Sequence, residues 1–120
     1  MDRRELEARS QAFALAVTRF CEGLRTRPNW RQHSDQLVDA ACSVGANYRA
    51  SGRARSRAEF VAKLGTVNEE IDEAVYWLEL MVQGQAAESA QLAPLLEEAK
   101  ELRAIFAASY GTARRRKGGK

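Results

Sequence analysis

Phe60, Leu64, Val67, Ile71, Ala74, Leu78 and Met81 recur at steps of four and three without a break. This is the spacing of an apolar seam on one long helix, because residues three and four apart stack on the same side of the cylinder. Val61, Val75 and Val82 form a second row beside the seam, and Trp77 and Leu80 extend it. Such a face is wider than one partner helix needs, so more than one neighbour is expected against it. Gly84 is placed to end this helix.

The rest of the chain supplies those neighbours. Upstream, Leu6, Phe13, Val17, Phe20 and Leu24 mark the buried face of a first helix. Pro28, preceded by Arg27, is expected to end it, since the residue before proline is pushed out of helical geometry. Asn29 or Ser34 is the expected cap of a second helix, whose inner face is Leu37, Ala41, Val44 and Tyr48. Ala40, Ala41, Ser43, Gly45 and Ala46 make that helix slim enough for a neighbour's backbone to approach. Gly52 interrupts it, and Ser56-Arg57-Ala58-Glu59 has capping-box spacing, with Ser56 and Glu59 as the reciprocal caps of the third helix. A fourth helix begins between Glu88 and Pro94 and buries Leu92, Leu95, Ala99, Leu102, Phe106 and Tyr110, with Leu96 and Ile105 alongside. Gly111 is its expected stop, and Thr112–Lys120 reads as a disordered basic tail. The expected fold is all-α, an antiparallel up-down-up-down four-helix bundle over residues 1–111.

With 120 residues, 45% of them hydrophobic, the chain suffices for one domain with a real core. No apolar run reaches the roughly 18 residues of a membrane span. Met1-Asp2-Arg3-Arg4-Glu5 lacks the apolar stretch of a signal peptide, so a cytoplasmic location is expected. Cys21 and Cys42 stand apart without a CxxC, and the only histidine is His33. Both thiols are expected to be reduced and buried, and His33 to be solvent-exposed near a helix start. No E-x-x-H pair, phosphate-binding glycine loop or G-x-S-x-G is present. The acids Glu69, Glu70, Asp72 and Glu73 point in successive directions around the third helix and are expected to be mostly solvated. No catalytic residue, metal site or cofactor is expected, and the enzyme reading is set aside.

Charge is unevenly distributed. Residues 1–57 hold eleven basic and six acidic side chains, residues 58–101 two and ten, and residues 102–120 six and none. Basic and acidic surfaces of a folded bundle should therefore separate. The densest basic feature is the turn between the second and third helices, where Arg49, Arg53, Arg55 and Arg57 follow Asn47 and Tyr48. Guanidiniums there could reach phosphate oxygens, Tyr48 could stack on an unpaired base, and the amides after Ser56 could add an anion site. The competing reading has the same arginines solvated or paired with acids such as Glu59. The Arg114–Lys117 run offers salt-sensitive affinity without specificity.

The stretch Ser43-Val44-Gly45-Ala46-Asn47-Tyr48, then Gly52-Arg53, then Ser56-Arg57-Ala58-Glu59-Phe60, resembles a signature of the four-helix-bundle family named after proteins encoded in intervening sequences of bacterial 23S ribosomal RNA genes. Leu64, Glu69-Glu70, Ala74, Trp77-Leu78 and Leu80 continue the pattern, over about residues 10–110. Where the commoner pattern has Ala-Glu-Gly after the Asn, this chain has Arg49-Ala50-Ser51-Gly52, a more basic turn. The resemblance implies a ring-like homopentamer with a central channel. It also implies kinship with the accessory protein of diversity-generating retroelements, which partners a reverse transcriptase and nucleic acid.

Two functions follow from these readings. In one, the protein is a non-enzymatic oligomeric adaptor that binds RNA or DNA through Tyr48, Arg49, Arg53, Arg55 and Arg57, with a reverse transcriptase as a possible partner. In the other, it is a structural assembly that recruits proteins through the acidic surface of its third helix.

Overall fold

The computed structural model describes residues 1–117. They form α1 (Arg3–Glu22), α2 (Arg31–Ser51), α3 (Arg57–Gln83) and α4 (Ser89–Lys117), with no strand among the described residues. The helices run up, down, up and down. Arg3 at the start of α1 bonds to Tyr48 and Ser51 at the end of α2, Arg57 at the start of α3 reaches Ala113 near the end of α4, and Glu79 pairs with Lys100. The result is a rod of 50 × 21 × 20 Å. Helices consecutive in sequence pack closely, whereas α1 and α4 meet only sparsely.

The expected stripes build the core. Phe13 and Val17 of α1, Leu37 and Val44 of α2, Val67, Ile71 and Leu78 of α3, and Leu102 and Phe106 of α4 are all buried. Each such side chain contributes about 1.5–3 kcal/mol relative to exposure. The slim α2 serves close packing: a Cβ on Gly45 would lie 3.7 Å from the Ser10 carbonyl oxygen of α1. The second row of α3 divides, with Val61 and Val75 buried and Val82 exposed.

Ser56 caps α3, Gly52 and Gly84 follow the last residues of α2 and α3, and α4 starts at Ser89, as expected, while other helix ends depart from expectation. A reciprocal capping box does form, but at α1, where the Asp2 carboxylate accepts from the Glu5 amide at 2.8 Å and Glu5 accepts from the Asp2 amide at 2.9 Å. At α3 only half of the expected box exists. The Ser56 hydroxyl accepts from the Glu59 amide at 3.0 Å, while Glu59 turns to the Arg55 amide at 3.3 Å instead of Ser56. The helix α1 ends at Glu22, six residues before Pro28, with Leu24 and Arg25 amides returning to the Cys21 carbonyl. Neither Asn29 nor Ser34 caps α2; the cap position is Trp30, without a side-chain bond, and Ser34 is buried within the helix.

Two further expectations are corrected. Cys21 is buried but Cys42 is exposed, because Cys42 lies on the outer side of α2 from the Ala41–Val44 face. At the other end of the chain, α4 continues through Gly111 to Lys117 instead of releasing a tail at Thr112. Ala113 is buried there, so tertiary packing extends the helix past its glycine. The remaining tail residues, 118–120, lie outside the described residues.

Candidate nucleic-acid interface

Antiparallel order decides which charges meet. The starts of α1 and α3 and the ends of α2 and α4 share one end of the rod, so the two basic stretches of the sequence converge there. Arg3, the Arg49–Arg57 turn and Arg114–Arg116 all occupy that end. Arg49 and the α4 arginines also lie in the last turns of their helices, where cations complement the negative end of the helix dipole.

The four arginines of the turn do not act as one cluster. Arg49 and Arg53 are exposed and flank a groove between α2 and α3, of about 350 Å³, that also takes in Glu59 and Lys63. Arg55 pairs with Glu59 at 3.5 Å, but its side chain is 90% exposed, and an ion pair in that setting contributes little. Arg57 turns to the other side of the α3 start, where its Nη2 donates to the Ala113 carbonyl at 3.2 Å. It lines a second cavity, of about 480 Å³, together with Arg3, Tyr48 and Arg116.

Tyr48 is not a stacking platform. It is 6% exposed, one side of its ring is covered by the Arg3 guanidinium 4.3 Å from the ring centroid, and its ring packs against Phe106 at 5.1 Å. Burial holds its hydroxyl above the ordinary tyrosine range, and the Arg3 charge offsets part of that. A base could reach the ring face only by displacing Arg3, which also bonds to the Tyr48 carbonyl at 3.1 Å, Ser51 at 2.8 Å and Glu7 at 3.2 Å. Asn47 is likewise committed, its side-chain amide donating to the Ser43 carbonyl and hydroxyl one turn back. Two of the amides after Ser56, those of Glu59 and Phe60, bond to Ser56 itself, which reduces the anion site expected there.

Away from the basic end, the acids of α3 are more varied than expected. Glu69 and Asp72 are exposed, and Asp72 accepts from Arg103 at 3.0 Å. Glu73 accepts from the Trp77 indole at 3.1 Å. Glu70 is half-buried, and burial first, then the charges of Glu73, Glu69 and Asp39, hold its carboxyl above the usual range. His33 is half-buried instead of solvent-exposed: its ring sits 4.9 Å from Trp30 and 5.7 Å from Trp77, and its buried Nδ1 has no partner among the described residues.

A family model described as 23S rRNA-intervening sequence protein matches residues 4–108. The chain belongs to that family. Among solved structures it is similar to a protein with unknown function from the S23 ribosomal protein family of Bacteroides thetaiotaomicron, at 26% identity and a TM-score of 0.81, covering 88% of this chain and 97% of that one. No curated protein gave a match.

The 23S rRNA-intervening sequence family match takes in the Arg49–Arg57 turn and stops before Arg114–Arg116. Half of the basic end therefore lies beyond the part of the chain that the family model describes. Sequence reasoning missed Arg3 altogether, because one arginine in a first turn carries no signal until the fold sets it over Tyr48. It undervalued Arg114–Arg116, which the glycine at 111 made to look detached.

Proposed function

We propose that this member of the 23S rRNA-intervening sequence family is a non-enzymatic, cytoplasmic homo-oligomeric adaptor that binds RNA or DNA through the arginine-rich end of its bundle. The observation that carries this reading is the convergence of arginines from all four helices and the α2–α3 turn on one end of the rod. Arg49, Arg53 and Lys63, around the α2–α3 groove, are the contacts proposed for a phosphate backbone. Several copies of a modest patch would raise avidity without new contacts. A pentameric ring and a reverse transcriptase or other mobile-element protein as partner belong to the same proposal, on the strength of the family resemblance.

The test is binding of a single-stranded RNA to the full chain as salt is raised. Each phosphate contact contributes about −0.7 to the log–log slope, so Arg49→Ala with Arg53→Ala should flatten it by about 1.4. A slope unchanged by the pair, or no binding at low salt, overturns the reading.

One observation favours a second reading, recruitment of a protein partner through α3. Tyr76 is 54% exposed on the helix that carries the acids Glu69, Asp72 and Glu73. An exposed aromatic near acids suits a basic protein surface. Under this reading Tyr76→Ala weakens partner capture and the arginine pair has no effect on it.

A further inference from the structure

The cavity beside Arg57 differs in charge from the cleft at the opposite end of the rod and from the α2–α3 groove. Three guanidiniums from three elements line it, Arg3 of α1, Arg57 of α3 and Arg116 of α4, with no carboxylate in the lining among the described residues. The cleft of about 990 Å³ at the opposite end carries Glu88 and Glu97, and the α2–α3 groove carries Glu59. At about 480 Å³ the cavity falls within the usual range of small-ligand sites, about 300–1,000 Å³. Its apolar lining is Phe60 and Leu64 with the ring of Tyr48, and Ser109 and Thr112 add hydroxyls. Tyr48 rests on the buried Phe106, which closes the floor of the cavity.

We infer that this cup holds the terminal nucleotide of a strand, with a phosphomonoester on Arg57 and Arg116 and the sugar or base over Phe60 and Leu64. Charge argues for the monoester. A phosphomonoester carries about −1.5 to −2 at pH 7 and an internal diester −1, so two guanidiniums without an acid partner among the described residues, those of Arg57 and Arg116, favour the former. Arg3 is largely spent on Tyr48, Ser51 and Glu7 and adds field more than contacts. Arg57 spends one donor on Ala113, and Arg116 has no ion pair among the described residues. That the ligand is a nucleic-acid end rests on the function proposed above; that the cup takes a phosphomonoester does not.

The experiment compares one oligoribonucleotide sequence carrying a 5′-phosphate, a 3′-phosphate or hydroxyls at both ends, with uridine 5′-monophosphate as a separate small probe. One phosphorylated end should bind about tenfold more tightly than the hydroxyl strand, the equivalent of one charge-assisted hydrogen bond. Arg116→Ala and Arg57→Lys should erase that preference, while Arg49→Ala with Arg53→Ala lowers all three strands alike. The preference should also fade below about pH 6, as the monoester loses its second charge. Equal affinity for all three strands overturns the inference and leaves the groove reading standing. Arg116-dependent binding of the mononucleotide without strand binding upholds the cup and overturns the groove reading. Binding of neither overturns both.

Discussion

At the end of α3 the left-handed backbone falls on Gln85, at φ 56°, and not on the glycine beside it. The Ala86 amide returns to the Met81 carbonyl at 2.9 Å and the Gln85 amide to that of Val82 at 3.2 Å, the paired bonds that close a helix through a left-handed residue. Gly84 serves Trp30 instead, since a Cβ there would stand 2.5 Å from the indole ring. Adjacent substitutions should thus have opposite signs. Gly84→Ala should cost about 1–3 kcal/mol through forced repacking of Trp30. Gln85→Gly should gain up to about 1 kcal/mol by relieving the left-handed backbone. Urea midpoints shifting in the same direction for both would contradict this account. The cysteines offer a second contrast. Burial pushes the Cys21 thiol up to about 11, whereas Cys42 is exposed, so one thiol should label with maleimide at pH 7.5 in the native protein and two in denaturant.

Among the elements, the course of α4 past Gly111 makes a sharp test. Were Gly111 a left-handed stop, a side chain there would be strained; inside a helix, glycine only weakens it. Gly111→Ala should therefore stabilise the protein by about 0.5–1 kcal/mol, the nearest obstacle being the mobile end of Arg115 at 3.3 Å. On α3, the raised Glu70 carboxyl means that folding disfavours its charged form, so its stabilising effect is full when protonated and is lost as pH rises through the folded value. Glu70→Gln should raise the thermal midpoint at pH 7 and do so progressively less toward pH 4; a gain independent of pH would assign it to packing. The four helices were legible in the sequence because apolar periodicity is a property of each segment alone. Some of their ends were too, at Gly52, Ser56 and Gly84; others were not, because Pro28 and Gly111 signal locally while Ala113 and Trp30 answer to other helices.

For the whole molecule, what could be read in advance was that Arg49–Arg57 is dense in charge. Which side each guanidinium takes, and which other helix end joins it, depends on packing order, so the split between the groove and the cup emerged only in three dimensions. The same holds for Tyr48, whose place on the inner stripe of α2 signalled burial while its neighbours in sequence suggested a role on the surface. The sparse meeting of α1 with α4 has its own consequence. Arg9 bridges it, donating to Glu98 at 2.7 Å and to Glu101 at 2.6 Å, and its hydrogen bonds to these two α4 carboxylates hold its guanidinium above the ordinary arginine range. A rod laced along one long edge by a few polar stitches, and glued by hydrocarbon along the others, has a preferred way to come apart. Hydrogen exchange should find the amides of α1 opening before those of α3, sooner still in Arg9→Met, and α1 swinging out on the Gly23–Trp30 connection as a unit.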